Sequence, residues 1–199
     1  LGVARSQRRG QLEDFLAVVT YAVSTSDDLS ALVPAIDRAR AEVGGDPRLL
    51  FYLSVPPFAF APMVTALGGA GLAGPRARVI LEKPFGHDLD TARALNRTLH
   101  SVFAEQQVFR IDHFLGKEDV QNILAARFAN GVFEPVWNSH HVSHVQIDVP
   151  ETLGLEGRAG FYEGTGAFRD MVVTHLLQAL GFVAMERPAS LSGDDLAEA

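Results

Sequence analysis

The stretch "ARVILEKPFGHDLDTARALNRTLHSVFAEQQVFRID", residues 77–112, decides the fold. It opens on an apolar run, "ARVILEKP" (77–84), of the length of a buried strand. "DLDTARALNRTLHSVF" (88–103) follows, with Leu89, Ala92, Leu95 and Leu99 on one helical face and Asp88 at the N-cap position. A second apolar run, "QVFRID" (107–112), closes the stretch. Strand, helix and strand in that order make a βαβ unit, whose crossover is right-handed.

The alternation continues on both sides. Upstream, "RLLFYLSV" (48–55) predicts another buried strand, followed by a Pro-Pro turn and a helix near 58–68. Leu29, Leu32, Val33, Ile36 and Val43 predict a helix over 29–43, with Asp27 or Asp28 as its cap. Downstream, "KEDVQNILAARFAN" (117–130) predicts the next helix. The character then changes. "HHVSHVQIDVPE" (140–151) alternates through Val145, Ile147 and Val149, as a half-exposed antiparallel strand would. A Gly-rich segment (154–166) leads into a helix over 168–185. The expected class is α/β: an incomplete Rossmann-like parallel sheet over 1–112, then the start of an α+β domain with an antiparallel sheet over 113–199.

"GAGLAG" (69–74) spells the dinucleotide fingerprint but follows a helix and precedes a strand. The fingerprint works only after a strand and before a helix, whose N-terminus meets the pyrophosphate. It reads here as a helix-to-strand connection; if the chain belongs to a dinucleotide-binding protein, its true phosphate loop is expected upstream of Leu1. The chain opens without Met and ends in "SGDDLAEA", so a fragment cut at both ends is expected.

With 47% hydrophobic and 21% charged residues, a chain of 199 residues can build a sizeable core. A net charge of −7 argues against a nucleic-acid surface. The absence of cysteine excludes disulfides, thiol catalysis and Cys-ligated zinc, and fits a cytoplasmic location. No signal peptide is evident, and Pro56, Pro57 and Pro62 interrupt the most apolar stretch, so no membrane span is expected.

Ligands of parallel sheets bind beyond the carboxyl ends of the strands. The three strands here end in "SVPP" (54–57), "EKPFG" (82–86) and "DHFLGK" (112–117). Two charged endings on one rim favour a site over solvated strand ends. The Lys83-Pro84 bond is either an ordinary turn or a cis bond. His113 and Lys117 stand four apart. A helix beginning near His113 would set both on its first turn, where free N–H groups favour an anion such as phosphate. Alternatively Lys117 pairs with Glu118 or Asp119. His175, flanked by Val172, Val173, Leu176 and Leu177, is either a core histidine or a general base oriented by a carboxylate. Asp112 is the candidate carboxylate, and Arg169 and Asp170 lie near enough to join the pocket. His140, His141 and His144 lack a carboxylate or cysteine to complete a ligand set, so they read as surface imidazoles and no metal is expected.

"RIDHFLGKE" (110–118) resembles the substrate signature of the glucose-6-phosphate dehydrogenase family. "YLSVPP", "EKPFG", "RFANGVFEPVWN", "RDMVVTHLLQAL" and "MERPAS" continue the likeness in colinear order over nearly the whole chain. The resemblance implies an oxidoreductase that oxidises C1 of glucose 6-phosphate with NADP, NAD being the alternative cofactor, and that assembles as a homodimer or homotetramer at full length. It implies His175 as the base and Asp112 as its orienting carboxylate. It assigns His113 and Lys117 to the phosphate, Glu151 and Asp170 to the sugar hydroxyls, and Lys83 to substrate and cofactor together. It assigns Arg5 to the 2′-phosphate of NADP and Pro56 to a loop lining the cofactor. Two departures stand out. Phe114 replaces the usual Tyr, removing a hydroxyl near the phosphate, and "FYEGTGAFRD" differs from the usual segment before the helix of His175. A paralogue acting on another sugar or sugar phosphate, and an inactive or merely binding fragment, are the competing readings.

Overall fold

The computed structural model describes residues 12–150, 152, 154, 156, 157 and 159–198. The chain divides into two compact units, Leu1–Arg110 and Ile111–Ala199.

The first unit carries helix α1 (12–17), α2 (Leu32–Val43), strand β1 (Leu50–Leu53), α3 (Phe60–Gly69), β2 (Arg78–Glu82), α4 (Leu89–Val102) and β3, which begins at Val108 and ends at Ile111. The sheet order is β1-β2-β3. β1 and β2 run parallel, with Leu50 opposite Arg78 and Leu53 opposite Leu81, so their carboxyl ends lie side by side. Alternation along β2 buries Val79 and Leu81 completely, in a core that includes Phe60, Val64, Leu67 and Leu99 of α3 and α4. Burying such side chains contributes roughly 1.5–3 kcal/mol each. Buried Gln107 uses both ends of its amide: Nε2 donates to the carbonyls of Gly74 and Ala77, and Oε1 accepts from Ala104 N–H. That fixes where β3 begins beside the loop leading into β2. The "GAGLAG" segment runs from the end of α3 toward β2, with Gly71 at φ 71°, and is a connection, as its context predicts.

Asp88 caps α4 as expected, accepting from Thr91 N–H at 2.8 Å, while the Thr91 hydroxyl reaches back to Asp88 N–H. The cap expected of Asp27 or Asp28 on α2 is not made. Ala31 occupies that position without a side-chain bond, and Asp28 instead accepts from Ser30 N–H at 2.9 Å. A short acidic side chain satisfies whichever amide the local turn offers, here one turn too early.

The second unit opens with a 3₁₀ turn, His113–Gly116, followed by α5 (Glu118–Phe128). The helix does not start at His113: Asp112 caps the 3₁₀ turn through Phe114 N–H, and Lys117 is the N-cap of α5. The expected first-turn pairing of His113 and Lys117 is therefore replaced by placement on two successive turns. After α6 (Ala159–Thr165), the helix expected over 168–185 forms in two parts, a π-helical segment Phe168–Leu176 and α7 (Leu177–Ala184). A last short helix, α8, spans Gly193–Glu198. The antiparallel strand expected over 140–151 is not made among the described residues, where 142–150 has no ladder partner. Alternation encodes which side chains share a face, but a strand needs a neighbour to satisfy its backbone.

Candidate active site

Asp112 follows directly on β3, and this placement holds the site together. Its Oδ1 accepts from Phe114 N–H at 2.9 Å, a local bond that the 3₁₀ turn makes unavoidable. The same oxygen lies 2.6 Å from His175 Nδ1. The imidazole is buried, with 1% of its residue surface exposed, and Asp112 is largely buried too. The two groups meet as a close ion-pair contact. Asp112 Oδ2 is buried without a hydrogen-bond partner among the described residues.

The π-helical segment presents His175 inward while its neighbours alternate between half-buried and exposed. Wide turns of this kind are frequent at functional sites. Asp170, one turn or more earlier, is half-buried and receives the Tyr162 hydroxyl at 3.3 Å. The core alternative for His175 and its role as a partner of Asp112 thus coincide: the residue is buried, and it is buried against a carboxylate.

Two further rings surround the imidazole. Phe114 stacks on His175 with centroids 4.3 Å apart and planes 18° apart. His113 meets His175 edge-on, with centroids 4.8 Å apart. Lys117 Nζ lies 3.6 Å from the Phe114 centroid. Asp112, His113, Phe114, Lys117, Asp170 and His175 therefore belong to one unit. His113 and Lys117 are exposed, as an anion site requires.

Asp112, His113 and His175 also bring one ligand atom each to within 4.8 Å of the others, a spacing that could hold a metal ion. The donor set suits zinc by type. Asp112 Oδ1, however, is already engaged by Phe114 N–H and His175, the arrangement of an oriented base. His141 and His144, weighed as metal ligands in the sequence, contact Asn138 and Ser143 respectively.

The remaining expected residues sit elsewhere. Pro56 precedes a 3₁₀ turn, Pro57–Ala59, beyond the carboxyl end of β1, and Lys83 follows β2. The Lys83-Pro84 bond is cis. Arg5 and Glu151 lie outside the described residues. Sequence reasoning missed the device that anchors the end of α7. Buried Arg127 donates to the carbonyls of Phe182 and Met185, at 2.7 and 2.8 Å, and Trp137 Nε1 donates to that of Val183 at 2.9 Å. Burial pushes the Arg127 guanidinium below its ordinary value, and the Glu186 charge opposes this. A basic residue near the end of a predicted helix was the only available signal.

Residues 3–122 match the family described as glucose-6-phosphate dehydrogenase, NAD binding domain, so the class is that of chains built on a nicotinamide-dinucleotide-binding domain. Residues 124–199 match the C-terminal domain of the same family. The chain belongs to the glucose-6-phosphate dehydrogenase family. It is 47% identical over 190 residues to glucose-6-phosphate 1-dehydrogenase 2 of Mycobacterium tuberculosis strain H37Rv, covering 94% of this chain and 37% of that protein. It is 49% identical over 168 residues to the Rhizobium meliloti glucose-6-phosphate 1-dehydrogenase, covering 84% of this chain and 33% of that protein. The chain thus spans about a third of the length of these relatives. Among solved structures, it resembles a glucose-6-phosphate dehydrogenase in complex with its substrate glucose 6-phosphate. The TM-score is 0.86 at 37% identity, over 95% of this chain and 40% of that one. The Mycobacterium avium enzyme gives 0.78 at 42% identity, over 90% and 39%. Among the described residues, no helix is long and apolar enough to cross a membrane.

Proposed function

We propose that this chain is part of an enzyme that oxidises glucose 6-phosphate at C1 to 6-phosphogluconolactone with reduction of NADP, the first step of the oxidative pentose phosphate pathway. The observation that carries this reading is the buried pair of His175 and Asp112, 2.6 Å apart, in a chain of this family. His175 Nδ1 faces Asp112, so the C1 hydroxyl proton passes to Nε2. Asp112 holds the ring and stabilises the imidazolium that forms. His113 and Lys117 bind the phosphate, which fixes C1 relative to the base through binding energy far from the reacting atom. Asp170 and Glu151 hold sugar hydroxyls.

The carboxyl ends of parallel strands β1 and β2 fit one side of a dinucleotide, since that edge is where such sheets take ligands. Pro56 and Lys83 are the residues there that would hold it. NADP, when bound, supplies the hydride acceptor. The preference for NADP over NAD, the contact of Arg5 with the 2′-phosphate and the contact of Lys83 with the sugar rest on the resemblance alone.

The test is nicotinamide reduction by the full-length protein with glucose 6-phosphate or glucose, and with NADP or NAD. The reading expects glucose 6-phosphate to be strongly preferred. Equal rates with the two sugars would favour the second reading, a dehydrogenase of another sugar, for which Phe114 is the motive. For His175→Asn we expect kcat to fall about 10²–10⁴-fold, the usual share of a general base, with substrate binding retained. Lost binding with normal kcat would reject His175 as the base.

A further inference from the structure

Phe114 touches every member of the candidate site whose geometry matters for the base. Its backbone N–H donates to Asp112 Oδ1, the same oxygen that His175 Nδ1 approaches. Its ring stacks on the His175 imidazole at 4.3 Å and 18°. Its ring also has the Lys117 ammonium 3.6 Å from the centroid. The residue is 8% exposed, so the contacts are enclosed rather than solvent-averaged. The 3₁₀ turn that begins at His113 makes this combination feasible: it aims the amide of residue 114 back at Asp112 while its side chain points at the helix of His175.

We propose that Phe114 is a positioning residue for the general base and also sets how readily Lys117 engages an anion, a proposal that rests on the function proposed above. The ring, stacked 4.3 Å from the imidazole, adds to Asp112 in restraining rotation of His175. Its π-face attracts cations, so it steadies the imidazolium as the proton arrives. The same ring also holds the Lys117 ammonium, 3.6 Å from its centroid. Phosphate must then compete with the ring for Lys117, and that competition weakens substrate binding.

These two roles separate kcat from KM in a way that general loosening does not. Phe114→Leu keeps an apolar side chain of similar reach but removes the π-face. In the full-length protein we expect kcat to fall about fivefold to tenfold, the scale of one aromatic pair. We expect KM for glucose 6-phosphate to stay level or fall, because Lys117 is released. Phe114→Tyr keeps the ring and should restore kcat to within about twofold. Independently of turnover, the ring protons of His175 should resonate upfield in the wild type, through the Phe114 ring current, and lose that shift in Phe114→Leu. Wild-type turnover with unchanged kcat in Phe114→Leu, or a rise in KM together with the fall in kcat, overturns the proposal. So does a wild-type spectrum without the upfield shift, which decides the matter even if Phe114→Leu fails to fold. A wild type that never reduces nicotinamide with glucose 6-phosphate, yet shows the shift, overturns the function and leaves the stacking intact.

Discussion

Lys117 has two claims upon its ammonium: the Phe114 ring 3.6 Å away, and the phosphate assigned to it. A charge-assisted bond to phosphate contributes roughly 1.5–3 kcal/mol. Lys117→Ala should therefore raise KM for glucose 6-phosphate about tenfold to a hundredfold and leave KM for glucose nearly unchanged. Steady-state kinetics on both sugars checks this, and an equal change for both would remove Lys117 from the phosphate site. At this scale the charged residues were legible. Asp112, His113 and Lys117 stand out because a buried strand seldom ends in such a run. The pairing of His175 with Asp112 was open in the sequence, since an apolar helix hosts a core histidine as readily as a base. The stacking of Phe114 was not legible at all. It joins residues far apart in the chain, and no local spacing encodes a ring-to-ring contact.

Elements were legible where their signals are local. The period of α4 and its Asp88 cap come from neighbouring residues, and both form. The π-helical segment does not differ in pattern from an α-helix over so few turns, so Phe168–Leu176 reads as ordinary helix. The expected strand over 140–151 differs for the opposite reason: its pattern is present, but among the described residues it has no partner strand. One local charge cluster makes a test at this scale. Glu105, in the turn before β3, accepts from Arg110 of β3 and contacts His100 of α4. The Arg110 and then the His100 hydrogen bonds hold its carboxyl below the ordinary value of 4.5. A depressed folded value means the stabilisation is present above the unfolded pKa and is lost as pH falls through the folded one. Because the Glu105 side chain is exposed, Glu105→Gln should cost only about 0.5 kcal/mol near neutrality. The difference in Tm between the two proteins should shrink toward zero below pH 4.5. A gap that persists in acid would mean that Glu105 acts through packing.

Over the whole molecule, charge and apolar exposure act against each other. The 24 acidic and 17 basic residues leave a formal charge of −7 at neutrality. The isoelectric point is near 5.4. Several large apolar side chains are exposed among the described residues, including Phe58 at 83%, Val18 at 77% and Val132 at 75%. Above the isoelectric point, like-charge repulsion keeps such surfaces apart, and salt screens it over about 8 Å at physiological strength. The net negative charge shrinks as pH falls toward the isoelectric point. Light scattering at constant protein concentration should therefore peak near pH 5.4 and fall on both sides. Added salt should raise scattering at pH 7.5 and change it little at the peak, because only the former is held down by repulsion. Scattering that rises steadily into acid, without a maximum, would show that unfolding rather than loss of net charge brings the chains together.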